Sequence, residues 1–70
     1  MNCKVTSRAI KDRFAGWWWA VWQDERLVGF GTGYRHKARC LSHERKCVAV
    51  AKSREMPTIE CTNLIVQPFR

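Results

Sequence analysis

An aromatic run in the first third of the chain most constrains what this sequence can fold into. Residues 17–23 read Trp-Trp-Trp-Ala-Val-Trp-Gln, a composition typical of a β-strand. A polar break follows at residues 24–26, and residues 27–34 return as a second run with glycine at positions 29, 31 and 33. Two such runs joined by a short polar segment predict a β-hairpin.

The two faces of this hairpin are predicted to differ. With a loop of two or four residues, alternation gives one dense layer that should lie against the rest of the core: Trp17, Trp19, Val21, Gln23, Val28, Phe30, Thr32 and Tyr34. The opposite face then carries Trp18, Trp22 and Leu27 above a floor of glycines. A three-residue loop would exchange the pairing, but such loops normally use glycine, which residues 24–26 lack.

Two interpretations of the Trp18 face stay open. Glycine weakens a strand unless something approaches the backbone closely. In the first interpretation Trp18 itself lies across the facing glycine and shields the strand pairing. In the second, Trp18 and Trp22 form a flat platform beside Lys4 and Arg8, suited to stacking on bases or to packing into a protein groove.

The remaining segments complete the predicted order β-β-β-α-β. Residues 3–10 alternate and predict a first strand, residues 11–16 a connection, residues 35–54 a helix that ends before Pro57, and residues 58–66 a last strand. The helix has one mainly apolar stripe, interrupted by Glu44 and composed of Cys40, Leu41, Cys47, Val48 and Ala51. We therefore expect a single small α+β domain over residues 1–70, with an antiparallel sheet of three to four strands and the helix packed on one face.

Charge is the strongest functional signal in the sequence. The net charge is +7, and residues 35–55 hold seven Lys or Arg residues against two acidic residues. A local excess of this kind favours polyanionic partners or an acidic protein surface. The alternative interpretation is a solvated helix face that keeps a small protein soluble.

The sequence indicates a cytoplasmic protein without metal or cofactor. The amino terminus lacks the apolar core of a signal peptide, and the longest apolar run, at residues 17–22, is far shorter than the roughly 20 residues that cross a bilayer. In the cytoplasm the four cysteines, at positions 3, 40, 47 and 61, should be reduced and mostly buried. His36, Cys40, His43 and Cys47 share one helix edge, but they extend over about 16 Å, too far to close on one ion.

Catalysis is not expected. Four of the six acidic residues fall in turns or near element ends, and the pair Cys40 and His43 has no orienting acid in evidence. A single-layer sheet of this size also offers little concavity for a substrate.

Part of the chain resembles a known type of DNA-binding domain. The resemblance rests on residues 19–21 in one strand, Gly31-Thr32-Gly33 in the next, and an alanine-bearing basic helix after them. This pattern is similar to that of AP2 and integrase arm-binding domains. The resemblance implies a three-stranded sheet that lies on DNA. The strand predicted after Pro57 departs from that plan, and no base-reading motif carries over. In size and charge the chain also resembles small bacteriophage accessory proteins, including anti-CRISPR inhibitors.

These observations predict a non-enzymatic binder of nucleic acid or of a nucleoprotein complex, such as a bacteriophage or mobile-element accessory protein. Two candidate contact surfaces follow, one on the sheet (Lys4, Arg8, Trp18 and Trp22) and one on the helix (Arg39, Arg45, Lys46 and Lys52). One alternative is a protein-binding inhibitor of a host defence or recombination complex. Another is a small structural subunit that forms a homodimer through the face of Trp18 and Trp22. No membrane partner is expected.

Overall fold

The computed structural model describes residues 4–14 and 16–59. These residues form one antiparallel sheet with the strand order β1-β2-β3, and one helix. The elements are β1 (Val5–Asp12), β2 (Gly16–Gln23), β3 (Arg26–Tyr34) and α1 (Lys37–Ser53). The predicted small α+β domain with a helix packed on one face of the sheet is confirmed, since α1 contacts all three strands.

The strand predicted over residues 58–66 lies outside the described residues from position 60 onward. Residues 58 and 59 are described and do not belong to a strand. The amide of Ile59 nevertheless donates a hydrogen bond to the carbonyl of Leu27 at 2.8 Å, so the chain beyond the helix returns to the start of β3. Within the described ranges, no helix is both long and apolar enough to cross a bilayer.

A turn of two residues joins β2 to β3, which is one of the two predicted loop lengths. Asp24 and Glu25 both have positive φ angles, 52° and 69°. Positive φ at both central residues gives a turn whose twist matches that of the flanking strands. Asp24 is also bonded to the start of β1, because its carboxylate accepts from the Lys4 amide at 3.0 Å and its own amide donates to the Lys4 carbonyl at 2.9 Å.

A β-bulge at Val28 changes which side chains face the helix. Next to the turn Trp22 pairs with Leu27, but one residue further Val21 pairs with Gly29, so that Val28 is the extra residue. From that point the register differs by one from the predicted pairing, which moves residues 29–32 of β3 to the other face. The prediction that Phe30 faces the helix is therefore wrong: Phe30 pairs with Ala20 and is 37% exposed.

A second bulge, at Gly33, restores the orientation of the last residue of the strand. Trp19 pairs with Gly31, and the next recorded pair is Trp17 with Tyr34. Gly33 has a φ of +84°, a conformation that glycine adopts without the penalty that other residues incur. This bulge places Tyr34 on the helix side of the sheet together with Trp17, where both pack against the core.

The glycines of β3 make room for Trp19. A Cβ atom at Gly29 would meet Sγ of Cys47 and the six-membered ring of Trp19, and one at Gly31 would meet the Trp19 indole and the Tyr34 hydroxyl. The expectation that Trp18 covers these glycines is therefore wrong, since it is Trp19, on the helix side, that lies against them. The bulge at Val28 is the reason, because it moves these glycines onto the helix side.

The core lies between the sheet and the predicted stripe of α1. Its buried members are Trp19, Val21, Val28, Cys40 and Ala51. Partly buried side chains surround them, and these include Val5 and Ala9 from β1 and Cys47 and Val48 from the helix. The helix stripe is confirmed at Cys40, Cys47, Val48 and Ala51.

Gln23 connects the sheet to the end of the helix. Its side chain is fully buried, and its Nε2 donates to the carbonyls of Ala51 at 2.7 Å and Arg54 at 3.0 Å. Its Oε1 accepts from the amide of Met56 at 2.9 Å. A helix leaves its last carbonyls without partners inside the helix, so this one side chain satisfies backbone groups that would otherwise be buried and unpaired.

Candidate nucleic-acid interface

The solvent-facing surface of α1 is cationic. All four predicted helix contacts are exposed: Arg39, Arg45, Lys46 and Lys52. Lys37 is exposed too, and Glu44, the one acidic residue of the helix, is half-buried. At 100° per residue, Arg45 and Lys52 lie beside the core-facing stripe, and Arg39 and Lys46 lie on the opposite side of the helix.

The predicted platform on the sheet is only partly present. Lys4 is exposed, whereas Arg8 and Trp18 are half-buried. Trp22 pairs with Thr6 and Leu27 on the face away from the helix, yet it is 1% exposed. The prediction that Trp22 is a surface residue is therefore wrong, and a partner or a second copy cannot stack on it without a change in structure.

A cleft lies between the end of β3 and the first half of α1. Its volume is about 620 Å³, and its lining consists of Thr32, Gly33, Tyr34, Arg35, His36, Arg39 and His43. Two of these residues are arginines, two are histidines and none carries a carboxylate. Gly33, whose bulge places Tyr34 on the helix side of the sheet, belongs to this lining.

A chain of hydrogen bonds fixes the inner wall of the cleft. The indole Nε1–H of Trp19 donates to the Tyr34 hydroxyl at 3.0 Å, and that hydroxyl lies 3.1 Å from Nδ1 of His43. The Tyr34 and His43 rings meet edge to face, with centroids 5.2 Å apart. Buried indole N–H groups usually need a partner, so Trp19 holds the phenol in place while the phenol positions the imidazole.

The start of the helix adds positive potential on this side of the molecule. His36 occupies the capping position without a side-chain capping hydrogen bond, and the first turn contains no acidic residue. The amino-terminal end of a helix carries a partial positive charge. Nζ of Lys37, the first residue of α1, lies 5.6 Å from the centroid of the Trp17 ring in β2. Cations therefore surround the amino-terminal end of the helix.

Two cysteines, Cys40 and Cys47, lie on the helix. Cys40 and Cys47 are free, and burial raises the pKa of both, with the nearby Glu44 carboxylate raising the pKa of Cys40 further. A raised pKa keeps a thiol protonated, and the thiolate is the form that attacks substrates and binds metals. No group of three or more potential metal ligands occurs within residues 4–14 and 16–59. Cys3 and Cys61 lie outside the described residues.

Comparison with known proteins assigns no family, because no protein-family model, no curated protein and no solved structure matches this chain. The fold and its charged surface define a small basic α+β domain.

Proposed function

We propose that this protein is a small, non-enzymatic, cytoplasmic protein that binds nucleic acid through the exposed surface of α1. The observation that carries this proposal is the charge of that surface, where five lysines and arginines are exposed and the one acidic residue is half-buried. Cations held on a rigid helix neutralise phosphates and release condensed counterions, which drives binding to nucleic acid. The free thiols of Cys40 and Cys47 favour a reducing compartment such as the cytoplasm.

The helix is a better candidate surface than the sheet. A flat stacking platform needs accessible rings, and Trp22 is almost fully buried. Of the two cations predicted for the sheet, Lys4 is exposed and Arg8 is half-buried. Arg39, Arg45, Lys46 and Lys52 instead project from one rigid element, so they reach phosphates without the entropy loss of ordering a flexible segment.

The salt dependence of binding tests this proposal. Affinity for a short DNA, single-stranded or duplex, is measured over a range of salt concentrations for the native chain and for double variants. Each contacted phosphate contributes a slope of roughly −0.7 to −0.9 on a log–log plot. The pair Arg45→Gln with Lys52→Gln, and the pair Arg39→Gln with Lys46→Gln, should each flatten the slope by about 1.5.

A matched control removes the same charge elsewhere. Lys11, in β1, and Arg13, in the turn after it, are both exposed and do not belong to α1. Replacing both with Gln should leave the slope unchanged. If the pair Lys4→Gln with Arg8→Gln flattens the slope and the helix pairs do not, the sheet is the interface. If no DNA or RNA binds at about 50 mM salt, where phosphate contacts are strong, nucleic-acid binding itself is refuted.

A protein-binding inhibitor is the second candidate, and one observation favours it. Phe14, in the turn after β1, is 91% exposed, and aromatic side chains such as phenylalanine are enriched in the cores of protein–protein interfaces. In this case the free chain binds nucleic acid weakly and one protein complex tightly. Phe14→Ser should then abolish co-purification of that complex while leaving the fold intact, whereas nucleic-acid binding through α1 should not respond to Phe14→Ser.

A further inference from the structure

We propose that the cleft between β3 and α1 binds one unpaired nucleotide, with its phosphate on Arg35 and Arg39 and its base against Tyr34 and His43. This inference rests on the proposed function and narrows it to nucleic acid that offers an unstacked base, as a single strand or a strand end does. The cleft was not predicted from the sequence, and its residues, apart from Arg39, lie outside the two predicted contact surfaces.

The size of the cleft points to a ligand larger than a phosphate ion. Pockets for small organic ligands typically measure about 300–1,000 Å³, and this cleft, at about 620 Å³, lies within that range. A lone phosphate would leave most of this volume to water. A nucleotide places a sugar and a base in the remaining space, where ring surfaces are available.

The charges at the rim fit a phosphate. Arg35 and Arg39 are exposed, and within the part of the chain that the structure describes neither forms an ion pair. A guanidinium group binds a phosphate through two parallel hydrogen bonds, which are stronger than those between neutral groups. With no carboxylate in the lining, an anion entering the cleft meets no repulsion from its walls.

Hydrogen bonds hold the inner wall of the cleft in place before any ligand binds. The Tyr34 hydroxyl is bonded to Trp19 on the core side and to His43 on the helix side. The bulge at Gly33, with its positive φ, directs Tyr34 to this position. A ring fixed before binding loses little conformational entropy when a base packs on it, and aromatic stacking accepts any base.

In the test, the native chain is titrated separately with adenosine monophosphate, adenosine and inorganic phosphate, and binding is monitored by two-dimensional NMR. We expect the monophosphate to bind at least about tenfold more tightly than phosphate or adenosine, since only it uses both parts of the cleft. The indole N–H signal of Trp19 should shift because Trp19 is bonded to the Tyr34 hydroxyl. The indole signal of Trp22 should not, since Trp22 does not line the cleft.

Two charge-matched variants test the location. Arg35→Gln with Arg39→Gln should weaken binding of the monophosphate by about tenfold or more. Arg26→Gln with Arg54→Gln removes the same charge from exposed positions at the other end of the helix and should change binding less than twofold. All four residues are exposed, so both variants are expected to fold.

Each outcome decides one way. Equal affinity for the monophosphate and for phosphate would overturn the inference in favour of a plain anion site, and equal loss in both variants would overturn the location. If oligonucleotides bind and the monophosphate does not, the nucleotide site is wrong and the proposed function stands. If the monophosphate binds and no oligonucleotide does, nucleic-acid binding is wrong and the cleft serves a free nucleotide.

Discussion

Replacing Gln23 with Met should destabilise the domain severely although the side-chain volume hardly changes. The substitution removes three hydrogen bonds and leaves the carbonyls of Ala51 and Arg54 and the amide of Met56 without this partner. Each bond contributes roughly 1 kcal/mol net, so the expected loss is about 3 kcal/mol. In a domain of this length that corresponds to a fall in melting temperature of roughly 12–24 °C.

Urea denaturation followed by tryptophan fluorescence, with thermal melts in parallel, measures this loss. Gln23→Glu should be worse than Gln23→Met, because it buries a carboxylate that faces two carbonyl oxygens. The control is Arg26→Met, at the position paired with Gln23, which removes only a surface ion pair to Glu55 and should cost less than about 1 kcal/mol. A loss below about 1 kcal/mol for Gln23→Met would refute the reasoning, because it would mean that these hydrogen bonds do not hold the helix end to the sheet.

Two further predictions concern the tryptophans and the thiols. Trp19→Ala and Trp22→Ala should each lower the free energy of unfolding by about 3–5 kcal/mol, and Trp18→Ala, at a half-buried position, by clearly less. Equal losses at all three positions in denaturation curves would contradict the observed burial. Burial raises the pKa of Cys40 and Cys47 above the ordinary value of 9.0. The folded chain therefore keeps thiol protons that the unfolded chain loses, so the free energy of unfolding should fall as the pH rises through 9. Denaturation curves between pH 7.5 and 9.5 check this. The prediction is contradicted if the free energy of unfolding of the native chain does not change over this range. It is also contradicted if the variant Cys40→Ala with Cys47→Ala shows the same pH dependence as the native chain.

Local sequence patterns predicted the three strands and the helix that the structure describes. The aromatic run, the polar turn and the alternating glycines predicted the hairpin, and the apolar stripe predicted the helix and its buried side at Cys40 and Ala51. The exposure of the four helix cations could be predicted for the same reason. Strand alternation, the helical period and turn chemistry are properties of neighbouring residues, so a sequence expresses them directly.

The faces of β3 were decided only in the tertiary structure. Alternation predicts a face only while the register stays constant, and the bulges at Val28 and Gly33 each insert one residue. Those bulges are favoured by packing, because they bring the glycines under Trp19 and place Tyr34 beside His43. The three bonds of Gln23 likewise join residues distant in sequence, and the cleft at Arg35 and Arg39 lies where the end of β3 meets the helix. Such contacts depend on how the sheet and the helix meet, and no local pattern in the chain carries that information.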